Sequence, residues 1–175
     1  DVWNYNEVNL TKRGVDEMEV LVSADGKPES FTSAGRFRLD QAKSGSTGPT
    51  TKPRFPQRLD VKAEGVRFVK FDILSNHAGV RYPTGDGGND NAFVGLSEVR
   101  FYANGKPETP LEGAKVAVCS SELIEGFNRA ARFLVEGDLD AKIGWNAQGA
   151  PFYAAGVKYS REYEFTGNPA DSPSG

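Results

Sequence analysis

The chain has 175 residues, enough for one domain or one domain with an appendage, and 38% apolar residues, enough to build a core. Its net charge of −3 is spread without a Lys/Arg run, which excludes the footprint of a nucleic-acid binder. No apolar stretch has the length of a membrane span, and Cys119, the only cysteine, excludes an internal disulfide.

The first residues are Asp-Val-Trp, with no initiator Met and no signal peptide, so the chain reads as a processed product or part of something longer. Residues 15–23 predict a strand with Met18, Val20 and Val22 on one face, followed by the tight-turn pair Asp25-Gly26 and a return strand over 31–39. Residues 42–57, rich in Ser, Gly, Thr and Pro, predict a long exposed loop. Residues 66–74 give the clearest strand, with Val69, Phe71 and Ile73 on one side. A second long loop, dense in Gly, Asn and Asp, covers 75–92.

A further strand is expected over 96–103, ending at Asn104-Gly105, then a connector to 114 and a short strand at 116–118. Phe127, Ala130, Ala131 and Leu134 have helical spacing, which predicts one short helix over 127–135. Residues 157–165 alternate again, with Val157, Tyr159, Tyr163 and Phe165 on one face and Arg161 interrupting it. The last ten residues, 166–175, read as a flexible end. Short strands, long loops and one short helix predict an all-β fold, an antiparallel sandwich or jelly roll. Ala-Asp-Gly-Lys-Pro-Glu (24–29) and Ala-Asn-Gly-Lys-Pro-Glu (103–108) echo each other, which shared turn chemistry explains.

Two blocks carry a family resemblance. Val-Trp-Asn-Tyr-Asn-Glu (2–7), Leu-Thr-Lys-Arg-Gly-Val (10–15), Val-Ser-Ala-Asp-Gly (22–26), Arg-Phe-Val-Lys-Phe-Asp-Ile-Leu-Ser-Asn (67–76) and Val-Gly-Leu-Ser-Glu-Val-Arg-Phe-Tyr (94–102) form the first. Together they resemble the second part of a discoidin-like domain, the coagulation factor 5/8 type C or galactose-binding-like family. Phe-Asn-Arg-Ala-Ala-Arg-Phe-Leu-Val-Glu-Gly-Asp-Leu-Asp (127–140) with Gly-Trp-Asn-Ala (144–147) is similar to that family's opening segment. The order is inverted: residues 1–103 resemble the closing part and 115–165 the opening part. A circular permutant, a partial tandem array and pairing between neighbouring molecules all fit, and exposed core and strand edges favour one complete unit over 1–165. Residues 151–160 also resemble β-sandwich segments of large glycoside hydrolases.

The resemblance implies a structural calcium ion. Asp138 and Asp140 match the family's metal loop and Glu98 its late carboxylate, a set of hard oxygens of the kind calcium takes. Lys142 stands where the family usually has Thr, and the three acids read equally as solvated turn and strand residues.

A sugar site pairs an aromatic platform with short polar arms, since the ring has apolar faces and a hydroxyl rim. The 75–92 loop offers Asn76, His77, Arg81, Tyr82 and Asn91; the 145–153 region offers Trp145, Asn146, Phe152 and Tyr153. Trp3, Tyr5 and Trp145 read more readily as core. One His, one Cys and no nucleophile motif point away from catalysis, zinc has no ligand cluster, and Cys119 reads as a small core residue.

The resulting expectation is a non-catalytic carbohydrate-binding module of an exported or cell-surface bacterial protein, with a glycan partner and no membrane span. Two alternatives stand beside it: a self-associating structural or adhesive subunit, and an ancillary domain of a large glycoside hydrolase.

Overall fold

The computed structural model describes residues 1–7, 9–42, 56–88, 92–120 and 131–135, with the strands at 144–145, 151–152, 156–157 and 162–166. Strands dominate it: β1 (Val2–Asn4), β2 (Val15–Ser23), β3 (Thr32–Arg38), β4 (Phe68–Asn76), β5 (Val94–Val99), β6 (Lys115–Cys119), β7 (Gly144–Trp145), β8 (Pro151–Phe152), β9 (Gly156–Val157) and β10 (Glu162–Thr166). All their ladders are antiparallel. A five-stranded sheet runs β3-β2-β4-β10-β6, a three-stranded sheet β1-β5-β9, and β7 pairs with β8. Among the described residues no helix is long and apolar enough to cross a membrane.

The period-2 pattern of β2 explains its place. Val15, Met18, Val20 and Val22 are buried, while Glu17 and Glu19 lie opposite Arg38 and Arg36 of β3. Arg38 reaches both Asp16 and Glu17, and such cross-strand pairs add a few tenths of a kcal/mol each (about 0.2–1 per pair). On β4 the buried Phe71 and Ile73 face Val20 and Met18 in register. One buried cluster draws on both larger sheets: Val15, Met18, Val20, Phe71 and Ile73 from one, Val2, Val94, Leu96 and Val99 from the other. Burying side chains of this size stabilises by about 1.5–3 kcal/mol each.

A bulge shapes β5. Trp3 pairs with Glu98 but Asn4 with Leu96, so Ser97 is the extra residue, and its hydroxyl donates to the Asn4 carbonyl at 3.0 Å. The bulge lets Leu96 and Val99, three apart, both join the core. Trp3 and Glu98 stand outside that cluster, where the Arg100 guanidinium lies 5.1 Å over the Trp3 ring. Asn4 fastens β1 to the start of β2. Its Nδ2 donates to the Val15 and Asp40 carbonyls, and its Oδ1 accepts from the Tyr5 and Val15 amides. Every hydrogen-bonding atom of this buried amide is therefore satisfied.

Four expectations need correction. Residues 157–165 are not one strand: Gly156–Val157 pairs with β5, and Glu162–Thr166 pairs with β4 and β6 in the other sheet. One strand over 157–165 would have lined Arg161 up with four apolar side chains, and the split removes that conflict. The strand expected over 96–103 spans Val94–Val99, and it ends there because its partner β1 runs out at Val2, opposite Val99. The helix over 127–135 is a 3-10 turn at Ala131–Leu134, with 127–130 outside the described residues. Asp25-Gly26 does not close a two-residue hairpin. Ser23 accepts from the Asp25 and Gly26 amides, and a 3-10 turn at Pro28–Ser30 widens the connection. The two echoed hexapeptides are both turns, with Gly26 and Gly105 at φ of 74° and 76°.

Candidate functional site

The loop that follows β4 is organised from inside by Asn76. This residue is 1% exposed. Its Oδ1 accepts from the Ala78 and Val80 amides at 3.0 and 2.9 Å. Its Nδ2 donates to the Tyr82 hydroxyl at 3.1 Å and the Phe93 carbonyl at 3.0 Å. The Tyr82 hydroxyl in turn donates to the Ala92 carbonyl at 3.1 Å. One buried amide thus holds the start of the loop and the segment where the chain returns to β5. Backbone bonds continue the frame, from the Tyr82 amide to Leu74 and from the Arg81 amide to Asp86. The glycines make it compact: Gly88 has φ of 72°, and a Cβ there would lie 2.6 Å from the Ala78 carbonyl oxygen. The Tyr82–Pro83 peptide bond is cis.

On this frame the predicted residues have different positions. Arg81 is exposed, and its guanidinium has no hydrogen-bond or ion-pair partner among the described residues. Tyr82 is half-buried, with its hydroxyl committed to the loop. The His77 side chain is only 15% exposed; Nδ1 lies 3.9 Å from Asp16, and the buried Nε2 has no hydrogen-bond partner among the described residues. Asp16 also accepts from the Ser75 hydroxyl and from Arg38. Asn76 itself faces inward with every polar atom paired. Asn91 and Tyr153 lie outside the described residues, and Trp145 is described only as backbone in β7.

A second segment meets this loop. The His77 amide donates to the Gly14 carbonyl at 3.1 Å, and Arg13 lies 4.8 Å over the Phe93 ring. Between β1 and β2, Asn9 takes φ of 63°, the left-handed region that a non-glycine residue adopts at some cost. Sequence reasoning did not single out Arg13, Phe93 or Asn9. No local motif marks them; the segments come side by side through tertiary pairing, of Gly14 with Gly95 and of the His77 amide with the Gly14 carbonyl.

Of the expected calcium ligands, Glu98 is buried at 2% exposure, with its carboxylate 3.3 Å from Arg100 Nε. The arginine supplies the counter-charge that a buried carboxylate requires. Asp138 and Asp140 lie outside the described residues. No three His, Cys, Asp or Glu side chains converge among the described residues. Trp3 and Tyr5 are buried, Tyr5 donating to the buried Glu7 carboxylate, while the Trp3 Nε1 has no hydrogen-bond partner among the described residues. Cys119 packs against the core. Comparison with family models, curated proteins and solved structures finds no match to this chain.

Proposed function

We propose that this protein is a non-catalytic carbohydrate-binding module with a discoidin-like β-sandwich, its closing and opening parts exchanged in sequence. The observation that carries this reading is an inwardly fastened loop in which Arg81, exposed and without a side-chain partner among the described residues, is followed by the half-buried Tyr82. A guanidinium donates up to five hydrogen bonds in a fixed fork, and an aromatic ring beside it supplies an apolar platform, the two elements a sugar needs. A loop already ordered pays little further ordering cost on binding. The shared core of the two larger sheets supports the sandwich, and the pairing of β10 with β4 of its own chain supports closure by permutation.

In this reading the ligand is a cell-surface or extracellular glycan. Calcium is structural, held by Asp138, Asp140 and the buried Glu98, with Arg100 sharing the charge of that carboxylate. A second reading, a self-associating structural subunit, draws on Val118 of the sheet-edge strand β6, which is 51% exposed.

The test is glycan-array and affinity-gel binding by wild type and Arg81→Ala, with calcium and with a chelator. Loss of a charged donor predicts at least tenfold weaker retention for Arg81→Ala, about 1.5–3 kcal/mol, at unchanged stability. Calcium raises the melting temperature of wild type and not of Glu98→Gln. A wild-type chain that retains no glycan but forms concentration-dependent oligomers defeats the binding reading in favour of the second.

A further inference from the structure

Asn76 belongs, by residue type, among the polar arms that would touch a sugar, yet its geometry gives it another task. Its four hydrogen bonds run to two amides at the start of the loop and to an acceptor and a hydroxyl on its far side. No donor or acceptor of that amide is left for a ligand. We infer that Asn76 and Tyr82 form a latch that sets the conformation of the 76–88 loop, and that Asn76 is a positioning residue for Arg81, not a contact residue. This rests on the binding reading only for what the loop holds; the latch itself stands on hydrogen bonds within the chain.

The latch is separable from the sheets. Residues 78–88 sit beyond the end of β4, and the core cluster contains none of Asn76, Arg81 or the glycines of the loop; of the latch, the Tyr82 ring alone packs against that cluster. Three backbone links tie the loop to its surroundings without the latch: the Asn76 amide to Val80, the Tyr82 amide to Leu74 and the His77 amide to Gly14. Breaking the latch therefore frees the loop as a unit and leaves β2 and β4 in register.

The test is amide hydrogen exchange on the full chain for wild type, Asn76→Asp and Tyr82→Phe. Aspartate keeps the acceptor for the Ala78 and Val80 amides and deletes the donor to Tyr82 and Phe93; Tyr82→Phe deletes one hydroxyl and leaves the half-buried ring. Both variants are expected to speed exchange at the Arg81 and Gly85 amides about tenfold, the loss of a buried hydrogen bond. The Met18, Val20 and Phe71 amides keep wild-type protection in Tyr82→Phe. The double variant accelerates the loop by less than the product of the two single effects, because the Asn76–Tyr82 bond is shared by both changes. Unchanged loop exchange in both variants overturns the latch, and so does equal acceleration in the loop and in the β2 and β4 core.

With any glycan the wild type retains, both variants lose retention although Arg81 is intact. Full retention by a variant whose loop exchanges freely overturns the positioning role. A wild type that retains no glycan defeats the functional reading, while the exchange data still decide the latch.

Discussion

At the scale of single residues, two buried asparagines do structural work that their polarity conceals. Asn4 spends all its hydrogen bonds on β1, β2 and the Asp40 carbonyl, and it leaves no room beside Gly14. A Cβ on Gly14 would lie 2.6 Å from the Asn4 Oδ1, although its φ of −65° suits any residue. Gly14→Ala is therefore expected to destabilise by about 1–3 kcal/mol through overpacking and a disturbed amide, read by chemical denaturation. A midpoint equal to that of wild type contradicts the contact. Asp25 offers a pH test. Hydrogen bonds from Ser30 and from the Lys27 amide hold its carboxyl at about 2, below the usual 3.8. A depressed folded value means that its contribution is fully present above pH 3.8 and fades as pH falls through about 2. Carbon-detected NMR titration is expected to show the low midpoint in wild type and a rise toward 3.8 in Ser30→Ala. An ordinary midpoint in wild type removes the network.

At the scale of elements, strands whose apolar residues alternate without interruption were legible. β2 has its expected bounds, Val15–Ser23, and the alternation from Met18 to Val22 holds, while a register shift before Met18 brings Val15 to the core as well; β3, β4 and β6 lie within two residues of their expected ends. Bulges and splits were not legible, because they depend on a partner strand. Nothing near Ser97 signals that Leu96 and Val99 share a face; the offset exists only against Trp3 and Asn4. Arg161 did mark the place where a continuous strand would fail, though the pattern alone cannot say that the two halves join different sheets. For the site, the sequence located a loop rich in Gly, Asn and Asp after β4. It could not separate a frame residue from a contact residue, since Asn76 and Asn91 look alike until burial and partners are known. The sheet edges show a similar contrast. On β3, Arg36 and Arg38 and the bulge at Ala34 discourage further strand pairing, whereas β6 carries the exposed Val118.

At the scale of the whole molecule, β10 ties the C-terminal part of the chain to its middle. It lies between β4 and β6, with Tyr163 opposite Phe71 on one side and Cys119 on the other. A chain cut after Ser120 keeps β1 to β6 but loses the only strand that connects β6 to the rest of its sheet. The truncated chain is expected to lose cooperative thermal unfolding and to aggregate through the uncovered edge of β4. Calorimetry and light scattering check this, and a sharp transition from a soluble truncated chain contradicts the pairing.

The placement of β10 also sets the order of events during biosynthesis. Glu162 must find Asp72 across roughly ninety residues of intervening chain, a long-range closure of the kind that slows folding. While the ribosome is still making those residues, β2, β3 and β4 can zip locally, but their sheet stops at an uncapped margin. The protein thus depends on holding that margin apart from its neighbours until residue 166 has emerged, and a slower translation rate lengthens the vulnerable interval.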